Sequence, residues 1–194
     1  MSVEAAMTQN SSTQKDRLFP LGDFYRARGW SMPEHHMVAA NDVPQPYHTL
    51  LVHKGDMTSA LQNFHSQKIR IEALEFLHQG NKVMRQVRLC DTASRPVEFG
   101  ASEINLSCFH QNAQEEILAS ILPLGAILHK FGLSYISTPQ AYFSIQSDAH
   151  IESALKLDTP AKLWGRVNVL RTAQQRIFAK VVEILPPLRA ENDA

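Results

Sequence analysis

Two short stretches of this chain alternate at the period of a β-strand, and each sets one charge into an apolar row. In Val83-Met84-Arg85-Gln86-Val87-Arg88-Leu89 one alternating set is Val83, Arg85, Val87 and Leu89; in the stretch from Ile177 to Leu185 one set is Ile177, Ala179, Val181, Glu183 and Leu185. Successive strand residues point to opposite faces, so Arg85 and Glu183 are expected to project from inward faces, with Arg88 pointing away from Arg85. A charge in an apolar layer is costly unless it is paired or meets a ligand. Two readings follow: a structural ion pair, or a closed pocket for an acidic ligand with Arg85 as anchor and Glu183 as a polar handle. Arginine suits the second reading because its planar fork grips a carboxylate at two points. A buried glutamate beside a ligand hydroxyl can share or move a proton.

The rest of the pattern sets these strands in hairpins. Ile69 to Leu77 alternates, His78-Gln79-Gly80-Asn81 supplies turn residues, and Lys82 to Cys90 follows as a second strand. Thr92 to Pro96 makes a second turn before a strand from Val97 to Phe109, in which Gly100 suggests a bulge or close approach. Tyr135 to Ser147 is rich in β-forming residues, and the stretches 163–170 and 177–185 make another hairpin, closed by Pro186-Pro187. Helices are expected between these strands. One spans about 56–66 with Asp56 as N-cap and Met57, Leu61 and Phe64 at helical spacing. A second starts at Asn112, with Glu115 completing a capping-box pattern. A third runs from Leu124 to Phe131 behind Pro123 and stops at Gly132. Hairpin strands with helices grouped between them predict an α+β single domain: an antiparallel sheet with helices covering one face and an enclosed pocket. The expected domain spans 47–187. An N-terminal arm (1–46) precedes it, with the first ~15 residues too polar to pack and expected to be disordered, and a tail (188–194) follows.

Composition narrows the function classes. Lys+Arg and Asp+Glu are equal at 19 each, and no basic run with interleaved aromatics occurs, which argues against nucleic acid. No segment approaches the roughly 20 apolar residues of a membrane span, and no charged start precedes an apolar core, so a cytoplasmic protein is expected. Cys90 and Cys108 form no CxxC pair and fit reduced thiols. The nine histidines are poorly spaced for a metal: His35 and His36 diverge, and His48 and His53 lack an HExxH-type carboxylate. No metal and no cofactor is expected. GxSxG, GxxxxGK[ST] and GxGxxG are all absent. Nothing in the pattern specifies an oligomeric state. Two further stretches bear on a pocket. Pro123-Leu124-Gly125 opens a helix whose free N–H groups can take an anion, or it is a plain helix junction. In Leu163-Trp164-Gly165-Arg166, Arg166 is either a second cation for a dicarboxylate or the partner of a protein acid.

Taken in order, these segments resemble the chorismate pyruvate-lyase family, the 4-hydroxybenzoate synthases. Asp56-Met57-Thr58 with Leu61 and Phe64 is similar to that family's first helix, Met84 to Cys90 to its arginine strand, and Leu122-Pro123-Leu124-Gly125 to its Pro-Leu-Gly helix start. Leu163-Trp164-Gly165-Arg166 matches its most recognisable stretch, and Val182-Glu183-Ile184-Leu185-Pro186 its closing glutamate strand. The resemblance covers roughly residues 47 to 187. It implies a cofactor-free carbon–oxygen lyase that converts chorismate to 4-hydroxybenzoate and pyruvate, as in ubiquinone biosynthesis. Arg85 would then hold the ring carboxylate and Glu183 would contact the oxygen at the far end of the ring. Backbone groups of Met57 and Leu124 would complete the carboxylate site. Departures are the short connection between Ile69 and Lys82, Gly100-Ala101 where the family often has Gly-Arg, and one residue fewer between Glu183 and the proline. The alternative is a non-catalytic sensor of the same fold that holds a small aromatic or cyclic carboxylic acid, similar to the ligand-binding domains of some bacterial transcription regulators. The first 46 residues look too short and proline-broken for a helix-turn-helix, which fits a lone sensor better than a full repressor. A third option is a related enzyme for another cyclic enol-ether acid.

Overall fold

The alternating stretches all become strands of one sheet. The computed structural model describes residues 17–188; the residues expected to be disordered at the start, and nearly all of the tail, lie outside them. Along the chain come α1 (Leu21–Ala27), β1 (His35–Val38), α2 (Tyr47–Leu51), α3 (Met57–His65), β2 (Arg70–Gln79), β3 (Lys82–Cys90) and β4 (Pro96–Asn105). Then follow α4 (Gln111–Ala119), α5 (Leu124–Lys130), β5 (Ile136–Gln146), α6 (Ala149–Leu155), β6 (Lys162–Arg171) and β7 (Ile177–Leu185). The seven strands run in the order β1-β5-β6-β7-β4-β3-β2, and every neighbouring pair is antiparallel. This is a single α+β domain. Among the described residues no helix is long and apolar enough to cross a membrane.

Both faces of the sheet are covered. Phe99 and Ala101 of β4 and Val182 and Ile184 of β7 pack with Leu21 and Phe24 of α1 and Ile151 and Leu155 of α6. The alternate residues face the other way. There Val83, Ile104 and Leu170 meet Ile117 of α4 and Ile127 of α5, while Leu89 and Leu185 meet Leu51 of α2 and Leu61 of α3. The segment read as an arm thus supplies α1, with Leu21 and Phe24 buried, and β1 at the sheet edge. A seven-residue helix has no stability of its own, so α1 exists because burial of these side chains, roughly 1.5–3 kcal/mol each, outweighs its ordering. Two expected boundaries shift. The β4 strand stops at Asn105, where a 3-10 turn over Leu106–Cys108 takes over. The α4 helix is capped by His110, whose Nδ1 accepts from Ala113 N at 3.4 Å, not by Asn112.

The helix cap at Asp56 sets the geometry of the cavity face. Its carboxylate accepts from Ser59 N at 2.8 Å, capping α3, and from His129 Nε2 of α5 and Tyr135 Oη ahead of β5, both at 3.2 Å. Burial would raise this carboxyl, but the bonds from Ser59 and His129 outweigh it and hold it below its ordinary range. The approach of α5 needs a glycine: a Cβ on Gly125 would lie 2.6 Å from Asp56 Oδ1. Asp56→Ala is therefore expected to lower stability by about 1–2 kcal/mol in urea unfolding. Gly125→Ala is expected to cost a similar amount by displacing the same carboxylate. The double variant should lose less than the sum, since both break one contact.

Candidate functional site

The register of four strands gathers the site. Arg85 on β3 pairs with Ser102 on β4, and Val87 with Gly100; Gly100 in turn pairs with Glu183 on β7, and Glu183 with Arg166 on β6. Cα partners across a ladder share a face, so Arg85, Glu183 and Arg166 all project to the side covered by α3 and α5. A cavity lies there, with Arg85, Glu98, Gly100, Ser102 and Glu183 on the sheet side, and Met57 of α3 and Leu124 of α5 on the helix side. It leaves about 70 Å³ in which the centre of a water molecule can move. A single water needs roughly 10–15 Å³, so the space is larger than a lone water site.

The two inward charges turn out to have different environments. Glu183 is an ion-pair residue: Arg166 Nε and Nη2 both donate to its carboxylate, the latter at 3.4 Å. Arg166 is 0% exposed and also donates to the backbone carbonyls of Leu51 (3.2 Å), His53 (3.2 Å) and Gly55 (3.4 Å). Its guanidinium is thereby committed to protein acceptors, and it is not among the residues that line the cavity. Burial, then the charge of Arg166, lowers the His53 imidazole and favours its neutral form. Arg85 has no such partner. It is 2% exposed, donates from Nη1 to Ser120 Oγ at 3.1 Å, and its Nε is buried without a partner. No ion pair to Arg85 occurs among the described residues. Burial pushes its pKa down to about 10, a desolvation cost of about 3 kcal/mol at any pH well below that value.

Glu98, which the sequence reading passed over, is a further charge-bearing group of the cavity beside Arg85, Glu183 and Asp56. It is 4% exposed and its Oε2 has no hydrogen-bond partner. Desolvation, and then the nearby carboxylate of Glu183, raise its pKa well above the ordinary range, against a smaller opposing effect of Arg166. With one guanidinium beside two buried carboxyls, the one that Arg166 does not hold keeps its proton. In the sequence, Val97, Phe99 and Ala101 mark the apolar set of β4, so Glu98 reads as solvent-facing; here that face is covered as well. No group of three or more His, Cys, Asp or Glu that could hold a metal ion occurs among the described residues.

A scan against models of known protein families finds no match, and neither does a search of curated proteins. Solved structures do match. Gene product SA0254 of Staphylococcus aureus subsp. aureus N315 aligns at TM-score 0.53 and 8% identity, over 70% of this chain and 90% of that one. YydK of Bacillus subtilis subsp. subtilis str. 168, described as a possible transcriptional regulator, aligns at TM-score 0.50 and 10% identity, over 67% of this chain and 65% of that one. The ligand-binding domain of a protein assigned to the GntR family of transcriptional regulators, from Bordetella bronchiseptica, aligns at TM-score 0.48 and 16% identity, over 64% of this chain and 92% of that domain. The fold is thus one shared with the first two of these structures. The carbon–oxygen lyase implied by the family resemblance is corrected by this result: YydK, whose fold this chain shares, is described as a possible transcriptional regulator. The chorismate and ubiquinone expectations fall with it. The site is consistent with that correction, because the glutamate nominated to move a proton is tied to Arg166.

The unpaired cation supplies a stability test. Arg85→Met replaces a desolvated charge with an apolar side chain of similar length. It is expected to raise the stability of the ligand-free protein by about 1–3 kcal/mol, at roughly 2–4 °C of melting temperature per kcal/mol for a chain of this size. Differential scanning calorimetry at pH 7 reads this directly. An unchanged or lower melting temperature would mean that Arg85 is already compensated.

Proposed function

We propose that this protein is a sensor module that binds a small aromatic or cyclic carboxylic acid in the cavity between β3, β4, β7 and helices α3 and α5, without converting it. The observation that carries this reading is Arg85, a buried guanidinium on the cavity wall with a single hydroxyl partner and an unpartnered Nε. A cation kept at that cost, where an apolar side chain would be more stable, fits a site completed by an anion. Arg85 is the carboxylate anchor in this reading. Met57 and Leu124 wall the cavity from the helix side, and Val87, Leu89 and Leu170 give it the apolar lining that a ring needs. Glu183 and Arg166 serve as a fixed neutral pair at its base, not as a second cation site. The cytoplasm is the expected setting, and the intervals 1–46, 47–187 and 188–194 are retained as arm, domain and tail in sequence terms.

The decisive experiment is a titration of the purified chain with benzoate by calorimetry and thermal shift. A saturable rise in melting temperature is expected, about 2.7 kcal/mol of stabilisation at one hundred times Kd, and none in Arg85→Met. Equal stabilisation of both proteins would remove Arg85 from the site. Incubation with chorismate is expected to release no pyruvate.

A further inference from the structure

Glu98 and Arg85 stand at opposite ends of the cavity floor. Glu98 lies four residues along β4 from Ser102, the Cα partner of Arg85, roughly 13 Å of strand. Its carboxyl folds back over the sheet: Oε1 is 2.9 Å from where a Cβ on Gly100 would sit, so a larger residue at 100 would displace the carboxyl from the place it occupies. It therefore leans toward the Arg85 end and lines the cavity with Oε2 unpartnered and buried. The two do not form an ion pair; Val87, Leu89 and Ser102 lie along the floor with Gly100. Two unsatisfied, oppositely typed groups buried on one cavity wall need two complementary groups on one ligand.

We propose that Glu98 is the specificity-determining residue of this cavity: a neutral carboxylic acid that donates a hydrogen bond, so that the site takes ring acids with one carboxylate for Arg85 and an uncharged acceptor at the far end. This rests on the acid-binding reading above and goes further, because it excludes dicarboxylates. A second carboxylate at the Glu98 end would meet both Glu98 and the ion-paired Glu183. The one guanidinium nearby, Arg166, is filled by Glu183 and three carbonyls. The charged and titratable groups facing Glu98 are Glu183 from β7, Arg166 from β6, Arg85 from β3 and Asp56 at the head of α3. Asp56 is ionised at neutral pH and above, and Arg85 stays charged below about 10. Ligand affinity then falls as pH rises through the raised pKa of Glu98, because the proton it donates is lost.

The test uses two probes of the same shape, 4-carbamoylbenzoate and terephthalate, with benzoate as reference, titrated calorimetrically into the full chain and its variants. The wild type is expected to prefer 4-carbamoylbenzoate over terephthalate by about tenfold or more. Glu98→Ala is expected to erase the advantage of 4-carbamoylbenzoate over benzoate. Glu98→Gln keeps a donor but no titrating proton, and is expected to flatten the pH profile of 4-carbamoylbenzoate binding above the ordinary carboxylate range. Circular dichroism confirms that each variant is folded, and either variant alone suffices. If benzoate binds through Arg85 but the probe ratios and the pH profile are unchanged in the Glu98 variants, the role of Glu98 is overturned while the acid site stands. If no probe binds the wild type, both are overturned.

Discussion

Arg166 holds together three parts of the molecule that are far apart in sequence. From β6 its guanidinium reaches Glu183 on the neighbouring strand and the carbonyls of Leu51, His53 and Gly55. That loop runs directly into Asp56, the cap of α3. A fully buried arginine is tolerated only when its donors are used, and here they are used on one carboxylate and three carbonyls. The consequence is positional. The loop is fixed against the sheet, α3 starts at a defined height, and Asp56 then ties α3 to α5 through His129. Gly125 permits that approach. The helix wall of the cavity is set by this chain of contacts, so the pocket is a product of the pair more than of hydrophobic packing alone.

The same pair decides the chemistry of the cavity. By neutralising Glu183 it removes one of the two inward charges from play. Having done so, it has little left for Glu98, whose carboxyl is left protonated by burial and by its neighbour. Arg85, on the other side of β4, gains nothing from either acid. The net result is a cavity with one bare cation, one neutral acid, a sealed ion pair and the capping carboxylate of Asp56 at its helix side. Such an arrangement can hold and orient an anion, with Arg85 as the cation and Glu98 as a hydrogen-bonding group.

How legible this was depended on the face of the sheet. The strands β3 and β7 were readable because a lone charge inside an apolar alternating row is conspicuous; both, 82–90 and 177–185, stand where the pattern put them. The pairing of Glu183 with Arg166 rather than Arg85 was not readable, because strand order is a tertiary fact: β7 lies between β6 and β4, which places Arg166 and Gly100 beside Glu183 and leaves Arg85 one strand further away. Glu98 was hidden for a related reason. Alternation tells which residues share a face, but only one face was expected to be covered. Helices α1 and α6, the first from a weak pattern and the second unread, pack on the Phe99 side, so both parities of β4 are buried and the polar parity is the one that meets the cavity.

Two-sided burial also explains why polar groups are concentrated where they are. A sheet with one wet face can place its charges in water. Here the strands from β6 to β3 have no wet face over much of their length, and each polar side chain must find a partner or remain unsatisfied. Ser137 and Asn168 satisfy each other at 3.0 Å, and Gln86 takes a bond from His150 at 2.9 Å on the opposite side. Four buried side-chain atoms nonetheless lack a partner among the described residues, His65 Nε2, Gln86 Nε2, Arg85 Nε and Glu98 Oε2, and of these Arg85 and Glu98 line one space. Packing forces neither: Gly100 and Ser102, small residues beside them, keep the space open instead of filling it. A sequence under pressure for stability alone would close the gap with an apolar side chain at 85 or a larger one at 100. That it does neither is the physical argument that the cavity is kept for an occupant.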